Sequence, residues 1–489
     1  MKNKFEWILL ILLNIIFISL ALTLSIVKHN NFNSSTWDLG IFNQAVWHWS
    51  RFENPIISTR PEGLNSNLSD NFFVSLSLLG PLYWVWNNPS MLLIFQSLII
   101  ALGGLGVYLL SKQKTKNLFI SFLFFVFYWL HISTQKLFDF DFHVEAIIMG
   151  GIPWLFISFE AKKYYLFFLI FLILLGTKAN TSIFLFIFGF YLLLFQKKLR
   201  WGIAIACVSA AWLVATIYIF IPHFKIDTTV GSAGYEHWLF QPLGNDLKSA
   251  FMNSINNPRI LVELFFDDPI KIESQKYLFG SFGYLNLLHP SGLLLLFPYL
   301  AQKYYSSGQH TWGLLYHYNA PLVPIFIISL IMLIGWLQKI TILKKYFRYL
   351  VVIIGVYLMS TFFYFLNLQD FPYKKVFNKD FYQKTEKIQI LNEAIRLIPK
   401  NASVGAQNNI LAHLTSRDNA YFFPWFYSDP EFIIFDITIY DEYATTLQKP
   451  SYNINHPGFG EMFYSKKDSI YNYKKIFEKN GILVYQKNL

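Results

Sequence analysis

Asp139, Asp141, His143 and Glu145 stand at alternate positions, with Phe138, Phe140 and Phe142 among them. In an extended segment these four polar side chains point to one side, where carboxylates and an imidazole could bind Mg²⁺, Mn²⁺ or Zn²⁺ or accept hydrogen bonds from sugar hydroxyls. A third reading keeps the aromatics at a membrane interface and the charges in water. The spacing matches no dedicated metal motif. His143 and Glu145 also open a long apolar run. An ionisable residue at the centre of a membrane helix costs about 2.5–3.5 kcal/mol, and less near an end, so such residues point to function.

Further polar groups interrupt otherwise apolar sequence. Trp37-Asp38-Leu39-Gly40-Ile41-Phe42-Asn43-Gln44-Ala45-Val46-Trp47 places Asp38 where a helix N-cap would sit. The segment reads either as a capped interfacial helix or as a loop presenting Asp38 as a general base. Lys178 lies in Gly176-Thr177-Lys178-Ala179-Asn180-Thr181, placed either to neutralise a lipid phosphate or to snorkel at the interface. His310, Trp312, His317 and Tyr318 could stack on a sugar or hydrogen-bond a phosphate. Arg51, Arg60 and Arg259 could grip pyrophosphate. No Walker loop, dinucleotide fingerprint, HExxH, GxSxG or EF-hand occurs. A membrane-soluble activated donor needs none of these.

The elements that position these residues are membrane helices. Of 489 residues 54% are apolar and 14% charged, a balance that requires hydrocarbon as part of the solvent. The net charge of +11 comes from short basic clusters between apolar runs, which is a topology signal and excludes a nucleic-acid-binding face. Cys207 is the single cysteine, so there is no internal disulfide framework. Runs of spanning length at about 7–27, 90–110, 117–134, 143–160, 201–221, 315–336 and 347–367 predict helices. The first follows Lys2 and Lys4 and reads as an uncleaved span.

Two more regions, 164–195 and 276–303, are broken at Gly176–Thr181 and at His289-Pro290-Ser291-Gly292 and read as helical hairpins. About eleven spans result, with residues 72–86 dipping into the bilayer without crossing. Holding the basic clusters in the cytoplasm puts the N-terminus there and turns the loops 28–71, 135–142, 177–180 and 222–275 outward, together with His310 to Asn319 and everything after about residue 368. Residues 370–489 have globular composition. A helix at 384–397, strands at 403–406, 420–423, 431–436 and 482–486, and an amphipathic stretch at 471–479 predict a soluble α/β domain. His413 and Arg417 are expected to share a helix face.

The motifs DLGIFNQAVW, Asp70-Asn71-Phe72, GPLYWVW, Asn88-Pro89 and Gln96, the Phe138–Glu145 run, Pro298, His317-Tyr318 and Pro321 resemble a family of prokaryotic membrane proteins catalogued as a domain of unknown function. Ile398-Pro399-Lys400-Asn401-Ala402-Ser403-Val404, His413–Arg417 and Phe422-Phe423-Pro424 carry the resemblance into the soluble domain, so it covers nearly the whole chain. That family in turn looks like a branch of the C-type glycosyltransferases, multi-span enzymes that move sugars from polyprenyl-phosphate carriers. The resemblance implies a mainly α fold of that type and a catalytic Asp38. The polar residues expected to form a substrate site are Gln44, Asp70, Asp139, Asp141, His143, Glu145, Lys178, His310, His317 and Tyr318. A divalent metal would fall to Asp141, His143 and Glu145.

The sequence departs from the family at Asp70-Asn71, where a His is usual, and at Lys178-Ala179-Asn180, where Lys-Glu-Asp is usual. The function expected is transfer of a sugar from a lipid-linked donor to an acceptor outside the membrane, with membrane lipid as partner. A lipid or solute transporter or flippase, and a non-catalytic anchor whose soluble domain binds a partner, are the competing readings.

Overall fold

The computed structural model describes residues 2–60, 64–226, 238–423, 428–439 and 472–488. Among these, six helices are long and apolar enough to cross a membrane: Lys4–Asn30, Ser90–Thr115, Leu118–Phe140, Leu199–Phe224, His317–Leu337 and Phe347–Asn367. The other five segments counted as crossings are shorter helices, Glu145–Glu160, Tyr164–Leu175, Thr181–Leu194, Pro269–Gly280 and Pro290–Tyr304. A 12-residue helix is only about 18 Å long, against about 30 Å of hydrocarbon, so the shortest of these do not cross on helical length alone. Residues 72–86, expected to dip, form a 3-10 turn at Val74–Leu79 followed by the short helix Gly80–Val85.

The chain divides into two compact units, Met1–Leu24 with Phe95–Ile219 and Tyr235–Phe377, and Ser25–Ile94 with Phe220–Gly234 and Asn378–Leu489. The division differs from a boundary at residue 369, because the first loop region belongs with the C-terminal residues. The reason is hydrogen bonding between residues 372 positions apart along the chain. Asn408 takes Thr36 N–H at 2.8 Å on its side-chain oxygen, and Asn43 Nδ2 donates to Thr415 Oγ1 at 2.9 Å.

The first unit is a helical assembly, the architecture that pairs most backbone polar groups locally, as hydrocarbon requires. Small residues bring helices close where no aqueous hydrophobic effect does so. At the contact of Thr181–Leu194 with Leu199–Ala215, a Cβ added to Gly189 would lie 2.8 Å from Gly202 O, and one added to Gly202 would lie 2.6 Å from Gly189 O. Two pairs of charged groups link the helices. Glu6 accepts from Tyr108 Oη at 2.6 Å and meets Lys112, while Lys114 pairs with Glu160 at 2.6 Å. The break at 176–180 is present, whereas the second lies earlier than the 289–292 read from the sequence, because Pro290, Ser291 and Gly292 open the helix Pro290–Tyr304. Residues 176–180 join two helices, and residues 281–289 separate two more, with Gly283 and Tyr284 in the left-handed region (φ 57° and 58°).

In the second unit the helix Ile41–Ser50 is followed by an antiparallel pair of strands, Ile56–Ile57 and Asn65–Ser66. The C-terminal residues form a five-stranded mixed sheet in the order Ala420–Phe422, Val404–Ala406, Phe432–Asp436, Ile482–Lys487, Tyr473–Lys479. The first three strands are parallel and the last two pairings antiparallel. Period-two alternation divides the sheet's side chains. Phe432, Ile434 and Val484 pack with Ile388, Leu391 and Ala394 of the helix Glu386–Arg396, whereas Ile433, Phe435 and Tyr485 form a second, aromatic cluster.

The amphipathic stretch at 471–479 is, from Tyr473, an edge strand whose lysines suit an exposed border. His413 and Arg417 do not share a helix, since the helical turn there stops at Leu411. Arg417 instead donates to the carbonyls of Leu414 (2.6 Å) and Ala402 (2.6 Å), and burial brings its pKa down to about 10.

Candidate functional site

Expecting one extended segment through Asp139, Asp141, His143 and Glu145 is incorrect. The helix Ile132–Phe140 carries Asp139 in its last turn, Asp141 is the extended residue that caps it, and Glu145 begins the next helix. Alternate positions therefore do not share a face. Asp139 pairs with Lys375, 2.6 Å and 2.9 Å from its two carboxylate oxygens. Asp141 is buried.

The turn between the two helices is fixed by a residue not singled out for a role, Gln96. Its Oε1 accepts the backbone N–H of His143 at 3.0 Å, and its Nε2 donates to the carbonyls of Asp141 (3.2 Å) and Leu137 (3.3 Å). The sequence signal was an amide inside the apolar run of the Ser90–Thr115 helix.

Around that turn His143, Glu145, Lys178 and His317 come together. Lys178 Nζ lies 3.1 Å from Glu145 Oε1, and His143 Nδ1 meets Glu145 Oε2. The Lys178 and Glu145 side chains are 16% and 5% exposed, so the pair is held mostly out of water. Lys178 reaches Glu145 because the turn at 176–180 ends the helix Tyr164–Leu175. The His317 ring stacks on His143 with centroids 3.7 Å apart and planes at 22°, and it also touches Phe140 at 4.7 Å. Tyr318 lies 4.2 Å from His317, with His310 5.6 Å from Tyr318. Half-burial holds the His310 imidazole below its ordinary range.

His317 is buried, and neither ring nitrogen has a hydrogen-bond partner among the described residues. One ligand atom each from His143, Glu145 and His317 lie within 4.8 Å of one another. These three are the fully buried group among the described residues that could hold a metal. Asp141, expected in the set, is outside it, and His317 takes its place. The arrangement can bind a phosphate oxygen through Lys178 and exchange protons through the imidazoles.

In the second unit, Ser35 rather than Asp38 caps the helical turn Thr36–Gly40, accepting Trp37 N–H at 3.1 Å. Asp38 lies inside that turn, half-buried. Gln44 is fully buried and engaged at both ends: Nε2 lies 2.7 Å from Ser58 Oγ and 2.9 Å from Arg417 O, and Oε1 accepts Ser58 N–H at 2.9 Å. Asp70 accepts from Arg60 Nη2 at 2.7 Å. His48, Glu53 and Asp418 form another group of possible ligands, but Glu53 already pairs with Arg51 at 3.0 Å and is 39% exposed. Arg259 is exposed and pairs with Glu263 in its own helix.

Comparison with solved structures finds a crystal structure of ArnT from Cupriavidus metallidurans bound to undecaprenyl phosphate. It is similar at a TM-score of 0.46 and 9% sequence identity, over 96% of this chain and 97% of that one. No curated protein matches the sequence. The family described as predicted membrane protein (DUF2079) matches residues 28–484, so nearly the whole length from the end of the first helix is accounted for. The chain belongs to that family of membrane proteins.

Proposed function

We propose that the protein is a membrane glycosyltransferase that moves a sugar from a polyprenyl-phosphate donor to an acceptor on the outer face of the membrane. The observation that carries this reading is the buried group Glu145, His143 and His317 with the partly buried Lys178, gathered at helix starts and a turn between apolar helices. Ionisable side chains in such a place are costly and are retained for a ligand or a reaction. Lys178 supplies a positive charge for the donor's phosphate, with Glu145 and the imidazoles orienting it and the sugar. His310 and Tyr318 offer ring faces next to His317.

Asp38 is the general base that the family resemblance implies. Its carboxylate takes the proton of an acceptor hydroxyl, and the acceptor oxygen bonds to the anomeric carbon. The bond from that carbon to the phosphate oxygen breaks, and polyprenyl phosphate leaves with the electron pair. No nucleotide is consumed at this step.

The test uses full-length protein in liposomes with undecaprenyl phosphate as probe. Lys178→Ala is expected to weaken lipid-phosphate binding by about tenfold or more, since a charge-assisted contact is worth about 1.5–3 kcal/mol. Asp38→Asn should keep that binding and abolish sugar transfer from a polyprenyl-phosphate-linked donor. Equal lipid binding by Lys178→Ala, full transfer by Asp38→Asn, or scrambling of lipid without any glycosyl product would overturn the reading, the last in favour of a flippase.

A further inference from the structure

We infer that His143, Glu145 and His317 form a site for one divalent cation of the zinc class. The geometry is the first support. The three candidate ligand atoms already lie within 4.8 Å of one another. A tetrahedral ion with bonds of about 2.0–2.1 Å holds its ligand atoms about 3.3 Å apart, so seating the ion takes side-chain rotations that part His143 from Glu145.

His317 is the second and independent support. It is 2% exposed, yet both its ring nitrogens are without hydrogen-bond partners among the described residues. A neutral imidazole carries one donor and one lone pair, and buried polar atoms of this kind are nearly always satisfied. A cation accepts the lone pair. The stacking on His143 at 3.7 Å brings His317 alongside the other two ligands.

Donor chemistry narrows the ion to nitrogen-binding transition metals. Two imidazoles and one carboxylate suit zinc, whereas magnesium and calcium take oxygen ligands. Three protein ligands leave a fourth position for water or an anionic oxygen. Outer-shell partners are in place: Lys178 sits 3.1 Å from the second carboxylate oxygen of Glu145, and Gln96 anchors the His143 backbone. Glu145 and Lys178 cancel in charge, so a bound dication leaves the site at about +2, which calls for an anion. That the anion is the donor's phosphate rests on the transferase reading, while the cation site itself does not.

The full-length protein is purified in detergent, stripped with chelator, loaded with Zn²⁺ or Co²⁺, desalted and analysed for metal. One ion per chain is expected, with Co²⁺ giving the visible bands of a four-coordinate nitrogen and oxygen site. Glu145→Gln and His317→Ala should lose the ion, and His48→Gln should keep it. Should His317→Ala fail to fold, His317→Cys keeps a ligand and is expected to bind Co²⁺ with a new thiolate charge-transfer band. Metal well below one per chain in the wild type, retention by His317→Ala, or no thiolate band in folded His317→Cys would overturn the site. A chain that binds no metal but binds undecaprenyl phosphate refutes only the cation site. A chain that binds metal but no lipid phosphate refutes only the transferase.

Discussion

Lys178 Nζ lies 3.1 Å from Glu145 Oε1 in a pair whose side chains are 16% and 5% exposed. Removing one partner leaves the other charge without compensation away from water, which costs about 3–5 kcal/mol for a well-buried pair. Glu145→Gln in chelator-stripped protein is therefore expected to lower the melting temperature clearly, and Lys178→Met to do so less, because His143 also meets Glu145. The double variant should recover part of the loss, with a coupling of about 0.5–3 kcal/mol. Strict additivity in thermal melts would show that the two charges do not support each other.

That pairing was only half legible in the sequence. The interruption Gly176–Thr181 announced a turn presenting Lys178, and the His143–Glu145 run announced costly polar groups at a helix start. Which of them meet depends on contacts far apart along the chain. Lys375 takes Asp139 away from the group, 236 residues on, and His317 joins it. Alternation misled for a local reason. The run Ile132–Phe140 satisfies a helix as well as a strand, so Asp139 turns with the helix while Asp141 caps it. The cap of the first loop misled similarly, since Ser35 and Asp38 are both good N-caps and the earlier residue takes the role. Six spans were legible because long apolar runs have one stable solution in hydrocarbon, and the sheet strands because they are short buried runs bounded by turn residues. The edge strand Tyr473–Lys479 was not. Its charged faces fit either an amphipathic helix or an exposed strand, and pairing with Ile482–Lys487 decides between them.

His413 gives a pH dependence. Its ring stacks against His29 at 4.0 Å and Phe32 at 4.2 Å, and burial, with the His29 ring beside it, holds its pKa well below the ordinary value. The native state keeps His413 neutral, whereas the unfolded chain takes up a proton below about pH 6.5. Stability is thus fully present above that pH and falls as the pH drops toward the native pKa, by up to about 1.4 kcal/mol per pH unit. His413→Phe removes this proton uptake. Its melting temperature should fall less than the wild type's between about pH 7.5 and about pH 5. Parallel curves for the two proteins would mean that His413 does not titrate on unfolding.

Gln44 separates a structural role from a substrate-binding one. Its amide lies within 2.7 Å of Ser58 Oγ and 2.9 Å of Arg417 O, and Ser58 Oγ in turn accepts the Ala420 N–H at 2.8 Å. The network ties the strand Ile56–Ile57 region to the first strand of the C-terminal sheet. Replacing Gln44 by Leu leaves Ser58 N–H and the Arg417 carbonyl buried without that partner. At about 1–3 kcal/mol for each unmet group, the loss should be at least about 2 kcal/mol. Opening free energy reads directly in amide exchange, so protection at Ser58 and Ala420 is expected to drop by more than tenfold, alongside a lower melting temperature. Unchanged exchange and melting combined with weakened binding of undecaprenyl phosphate would instead assign Gln44 to the substrate, as expected from the sequence.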